Sequence, residues 1–222
     1  MTTPPPAAAS PPLAAQRPSD AFVAYVLDLC ANKQAQSALR SGLGRPAERC
    51  NRLHRYLVRR LPERMHPDAR RAHYAVAALI AARPRSARAL DAERAEAEGA
   101  VSHWYARANL GASLAHAVNA QIIKPGSAEG DLHLYSRQSS EALNVRLPAM
   151  TRHLLSGGIA VDWAVLLEDL TWWDRDRDRV ATRWLESYFR TLHAETADDA
   201  AVGSHTDASS TDLAELPEEN FA

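Results

Sequence analysis

Arginine is the most frequent ionisable residue in this 222-residue sequence, with 24 Arg against two Lys. Guanidinium is planar, permanently charged and rich in donors, so it suits holding phosphate or carboxylate more than moving protons. Arg40 and Arg45 flank Ser41-Gly42-Leu43-Gly44. Glycine there permits positive φ and close backbone approach, which leaves both guanidiniums able to grip phosphate. The same pair would equally complete a helix C-terminus, where the dipole favours cations. Arg137, Arg146 and Arg152 recur through LYSRQSSEALNVRLPAMTRHLL, residues 134–155, as phosphate ligands or as solvated helix cations. Arg175 and Arg177 alternate with Asp174, Asp176 and Asp178. These acids offer ion pairing and weaken the local attraction for phosphate, and Asp174 makes a good N-cap for a following helix.

Other chemistries find little support. There is no Gly-x-Ser-x-Gly, no Walker Gly-Lys-Ser/Thr and no Gly-rich dinucleotide turn. Glu168 and Asp169 are neighbours, so a helix points them about 100° apart and they cannot face each other. Asp169 reads instead as a structural acid bridged to an Arg of a neighbouring helix. The nine His are scattered: His66 with His73, and His103 with His116, lack metal-binding spacing, and His133 and His153 are isolated. The Asp-Arg repeat lacks the ligand order and Gly of a calcium loop. Cys30 and Cys50 read as small core residues. We therefore expect no catalytic residue, no metal and no cofactor. Trp163, Trp172, Trp173, Trp184 and Tyr188 could stack on bases, but their helical spacing beside Leu makes them core, with Trp172 the one left exposed.

All-α elements must position these arginines, because no segment alternates apolar and polar residues as a strand does. Ser19-Asp20 can cap a first helix carrying Phe22, Val23, Val26, Leu27 and Cys30. A second helix, 32–43, stops at Gly42 and Gly44. Pro46 and Pro67 suit the first turns of the third and fourth helices. Residues 84–99 read as a mobile connection or an exposed helix, 100–119 as a fifth helix, and 124–131, with Pro and two Gly, as a loop. Helices follow over 132–146, 148–155, 162–173 (capped by Asp162) and 176–192. The expectation is a single bundle of about eight helices.

Composition sets its limits. Residues 1–19 are Pro/Ala-rich and residues 194–222 acidic, too poor in large apolar side chains to offset ordering entropy, so both read as disordered tails around a 20–193 domain. Residues 21–192 hold 25 Lys/Arg against 18 Asp/Glu, while the residues after Leu192 hold eight acids and no Lys or Arg. The densest basic run, 33–88, has 14 Lys/Arg against three acids. A basic body with an acidic extension suits a polyanionic partner, or simply solvated faces in an Arg-rich proteome. Without a Leu/Val-rich signal segment or a run of about 20 apolar residues, a cytoplasmic protein with no membrane partner is expected.

Three blocks, in order, resemble one family. AQSALRSGLGR (35–45) is similar to an early Ala-x-Leu-Arg-Arg/Ser-Gly segment, and ANLGASLA (108–115) to a central Asn-Leu-Gly motif at a helix start. VDWAVLLEDLTWWDRDRDRVATRWLESYF (161–189) is similar to a C-terminal signature of Asp-Trp, Leu-Leu-x-Asp-Leu, Trp and a charged turn. Together they resemble the CasB family, the small subunit of the type I-E CRISPR Cascade complex. Glu168 stands where many relatives place a basic residue, and 120–136 lacks their double Arg. The resemblance implies an all-helical, non-catalytic subunit, present as two copies beside the backbone and large subunits. It implies contacts with guide RNA and target DNA, including the displaced strand, and no small-molecule substrate. Arg40, Arg152 and the basic residues after the Trp pair, Arg175 and Arg177, are the positions it favours. A helical adaptor with a basic face and a stand-alone DNA-binding protein are the alternatives.

Overall fold

The computed structural model describes residues 17–99 and 104–206, with side chains described over 17–94 and 104–194. Among the described residues there are ten α-helices and no strand. They are α1 (Pro18–Leu29), α2 (Lys33–Arg40), α3 (Asn51–Leu57), α4 (Pro67–Ala82) and α5 (Arg85–Gly99), then α6 (Leu110–Asn119), α7 (Pro125–Ser136), α8 (Ser140–Ser156), α9 (Trp163–Trp172) and α10 (Arg177–Thr206). Short 3₁₀ turns cover Ala47–Arg49, Val58–Arg60 and Trp104–Ala106.

Apolar distribution decides which helices lie inside. Every residue from Tyr74 to Ala81 is buried, and a helix apolar all round belongs at a centre. In α9, Trp163–Leu167, Asp169 and Leu170 are buried as well, and α4 packs against α9, with α1 and α2 along its sides. A second layer is built on α10, which runs along α6 and touches α7. Its closest approach is at Gly111, where an added Cβ would fall 1.9 Å from the Trp184 carbonyl oxygen. The layers meet at Trp173 and Trp184, whose ring centroids are 4.7 Å apart.

Buried ion pairs fasten the helix ends. Arg107 donates to both Asp162 oxygens at 2.6 and 2.8 Å and to Asp20 at 2.8 Å, while Asp162 also caps α9 through Ala164 and Val165 N–H. Arg83 pairs with Asp91 at 2.6 Å, and the Trp163 indole N–H donates to the same carboxylate. Asp169 accepts from the Trp184 indole at 2.6 Å and pairs with Arg183 of α10, the bridge expected for it.

Several boundaries differ from those expected of the sequence. Residues 125–131 are helical, not a loop. Pro125 occupies the first turn, where no N–H is needed, and both Gly126 and Gly130 face open space. The break expected near residue 147 is absent, since α8 continues through Pro148 with Leu143, Leu147, Met150 and Leu154 buried on one stripe. Ser19 and Asp20 do not cap α1. Ser19 donates to Glu168 and Asp20 binds Arg107. Asp174 caps no helix of its own segment and accepts instead from Ser140 N–H and hydroxyl at the start of α8. Of the two readings of 84–99 the helix holds, over residues 85–99, and it is fastened by Arg88, which donates to the Arg83 and Cys30 carbonyls. The helix expected over 100–119 starts at Leu110, because Asn109 caps it through Ala112 N–H. Finally, α10 runs past residue 193 to Thr206. Residues 1–16 and 207–222 of the expected tails, and His103, lie outside the described residues.

Candidate nucleic-acid interface

All seven arginines singled out in the sequence are exposed, and none forms an ion pair among the described residues. Their backbones fall into three groups. Arg40 ends α2, and the turn after it carries Gly44 at φ +68°, so the glycine there is required. The Arg45 carbonyl accepts from the Asn144 side chain at 3.2 Å, which seats this turn against α8.

The second group lies at the α7–α8 junction. Arg137 follows the last residue of α7, and the next carbonyl, Gln138, accepts from both Trp173 Nε1 (2.9 Å) and Arg177 (3.3 Å). Asp174 grips Ser140 two residues on. The α9–α10 turn is thereby pinned to the start of α8, which brings Arg137 and Arg177 to one edge. Arg175 lies beside it, its guanidinium 5.6 Å from the Trp172 ring centroid.

Arg146 and Arg152 form no cluster with these. Asn144 and Arg146 are two residues apart, about 200° around α8, so Arg146 faces away from the Arg45 turn. It lies near Asp131 of α7, whose carboxyl is pushed up by burial and drawn back by Arg146 and His153. Arg152 stands about opposite the buried stripe and points outward.

Two features were not anticipated from the sequence. Trp104, Tyr105 and Trp172 line a cleft of about 910 Å³ whose charged lining is mixed, with Arg175, Arg179 and Arg183 beside Glu168, Asp176, Asp178 and Glu186. Trp172 is 52% exposed and Tyr105 81%, whereas Trp163, Trp173, Trp184 and Tyr188 are buried. Exposed aromatics between arginines can stack on unpaired bases or on guanidinium. The Trp104-Tyr105 pair preceding the Asn109 cap was the available signal. The second feature is how much of the arginine is structural: Arg83, Arg88 and Arg107 are inside the fold. No group of three or more His, Cys, Asp or Glu among the described residues could hold a metal ion. No described helix is long and apolar enough to cross a membrane.

The described residues thus form an all-helical domain that carries these seven arginines, outside ion pairs, on its surface. Residues 35–189 match the family model of CRISPR-associated protein Cse2, and the chain belongs to that family. Among solved structures, a chain of a CRISPR RNA-guided surveillance complex is 35% identical with a TM-score of 0.68, over 82% of this chain and 97% of that one. A chain of such a complex in a pre-nicking state is 37% identical with a TM-score of 0.69, over the same shares. The crystal structure of M. ruber CasB gives 28% identity and a TM-score of 0.66, over 82% and 98%. No curated protein gives a significant match.

Proposed function

We propose that this chain is the non-catalytic small subunit of a type I-E CRISPR RNA-guided surveillance complex, where it binds nucleic-acid backbone without base specificity. Its partners are the backbone and large subunits, a second copy, the guide RNA and the target DNA. Its task is to steady the guide–target R-loop and the displaced non-target strand. One observation carries the reading beyond family membership: Arg40, Arg45, Arg137, Arg146, Arg152, Arg175 and Arg177 are exposed and form no ion pair among the described residues, while Arg83 and Arg107 are paired inside. Exposed guanidiniums outside ion pairs suit phosphates, which carry no sequence information themselves. Base pairing reads sequence in such systems, and protein–backbone contacts tip a nearly balanced strand exchange.

The test replaces Arg40, Arg137 and Arg152 together by Ala. Exposed arginines contribute little stability, so circular dichroism and complex composition should stay unchanged. R-loop lifetime on a matched target should shorten, and the salt dependence of binding should flatten by a slope of roughly 2–3, at about 0.7–0.9 per lost phosphate contact. An unchanged lifetime at full subunit occupancy removes these arginines from the site and puts the protein-adaptor reading first.

A further inference from the structure

A second cationic surface lies outside the seven arginines above. Arg49, Arg52, Arg55, Arg59, Arg60 and Arg64 surround α3 and the 3₁₀ turn after it, and all six are exposed. None forms an ion pair among the described residues: the nearby acids Glu48 and Asp68 are both engaged by Arg71, at 3.4 and 3.2 Å, which leaves Glu63 as the one acid within 49–64. Arg52, Arg55 and Arg59 share one face, opposite the buried Leu53 and Leu57, in a row roughly 10 Å long. The rings beside that row are already occupied. Tyr25 and Tyr56 pack against the core, and the Arg60 and Arg55 guanidiniums lie over them, 4.9 and 5.1 Å from their centroids. Such support holds a guanidinium in place without consuming its donors. His54 sits on the other flank of α3, its Nδ1 3.1 Å from the Tyr74 hydroxyl.

Proteins that hold a single strand combine a cationic track with open rings on which its bases stack. The α3 face has the track without the rings, so charge density decides what it binds. A duplex carries one phosphate per about 1.7 Å of its axis, twice the density of either strand alone. Guanidinium fits carboxylate as well as phosphate. Consecutive phosphates of a stiff duplex, however, meet a row of arginines without side chains that must first be ordered, as an acidic protein surface would require. We propose that the α3 face is a second nucleic-acid site, one that holds paired DNA by its backbone. The inference rests on the nucleic-acid reading above and adds a division of labour to it: paired DNA on α3, the displaced strand along Arg40, Arg137 and Arg152.

The test titrates the full chain, by fluorescence anisotropy at several salt concentrations, against a labelled duplex of about 20 base pairs and against one of its strands. R52Q/R55Q/R59Q should lower duplex affinity about tenfold or more and flatten its salt dependence by a slope of roughly 2–3, at about 0.9 per lost contact, with a smaller loss on the single strand. Exposed arginines carry little stability, so its circular dichroism should match wild type. R52K/R55K/R59K keeps the charges and should keep the slope. R40A/R137A/R152A should do the reverse of the α3 variant and weaken the single strand more than the duplex. Unchanged duplex binding by R52Q/R55Q/R59Q overturns the α3 site and leaves the earlier assignment standing. Duplex loss there, with no single-strand loss in R40A/R137A/R152A, upholds α3 and removes that assignment instead. Equal losses on duplex and single strand overturn the choice of paired DNA. Poly-glutamate that displaces the duplex at equal charge makes α3 a dock for an acidic protein and likewise overturns the proposal.

Discussion

Replacing Gly111 by Ala tests the packing of α6 on α10 within the second helix layer. The new Cβ would lie 1.9 Å from the Trp184 carbonyl oxygen, 2.6 Å from its carbon and 2.9 Å from its Cα. All three atoms are backbone, so no side chain can rotate away. Comfortable contact needs about 3.5 Å, so α6 and α10 must part by more than 1 Å at this point, roughly a gap that forfeits a quarter to a half of each dispersion contact across it. Leu110, Leu114, Ala115, Trp184 and Tyr188 are buried along that seam. Overpacking of this kind costs about 3 kcal/mol. With a urea dependence near 2 kcal/mol per M, the unfolding midpoint of G111A should fall by about 1.5 M. G126A and G130A serve as controls, because a methyl group added at either position has nothing within 4 Å and both sites are helical. Each should gain about 0.5–1 kcal/mol from helix propensity. A G111A loss below about 1 kcal/mol would refute the close approach as a stability determinant.

Two further outcomes are expected. D169A strips both the Trp184 indole and Arg183 of their acceptor and should cost about 3 kcal/mol in denaturant unfolding, whereas a loss under about 1 kcal/mol would make that network incidental. His73 is half-buried edge-on against Phe22, and desolvation holds its imidazole below the ordinary value of 6.5, against a backbone hydrogen bond to Ala69 that pulls the other way. Below about pH 6.5 the unfolded chain binds the proton first, so the His73 contribution is present above that pH and is lost as pH falls towards the folded-state value. H73F should flatten the stability profile between about pH 7 and 5, and a profile identical to wild type would place the titration elsewhere.

Much of the fold was written in local chemistry. Asp162 caps the helix its position promises and Pro67 opens α4, because each acts on its own first turn, and α2 ends at Arg40, just before the Gly42 and Gly44 turn. Trp163, Trp173, Trp184 and Tyr188 are core and Trp172 is exposed, as helical spacing implied. What the sequence hid depends on partners distant along the chain. Asp174 looks like a cap for the helix it precedes, yet its acceptor oxygens are used by Ser140, 34 residues earlier. Asp20 looks like a cap and is instead one wall of the Arg107 site. Gly126, Gly130 and Pro148 are breakers by propensity, but a buried stripe on one side of α8 and open solvent beside α7 let helix persist. For the interface, residue type identified candidate arginines without saying which were neighbours. Only the docking of the α9–α10 turn on α8 brings Arg137 and Arg177 together, and periodicity alone could not separate Arg146 from them. The cationic face of α3 lay inside the basic run 33–88 and could not be picked out there, because charge counts do not distinguish Arg52 from the buried Arg83.

The Arg107 site bears on the order in which the protein matures on the ribosome. Its two carboxylates come from residues 20 and 162, and α1 packs on α9. The first helix to emerge therefore waits for some 140 residues before its permanent neighbour has been translated, a delay of roughly 7–30 s at typical elongation rates. Until that interval closes Phe22, Val23 and Val26 have at most α4 and α5, once translated, to cover them, and Asp20 and Arg107 lack Asp162 to complete their pairing. The domain is thus closed late, by its own C-terminal third. Chain shortened from that end loses the carboxylate on which the first helix depends, and a nascent N-terminal half should be the species that chaperones hold.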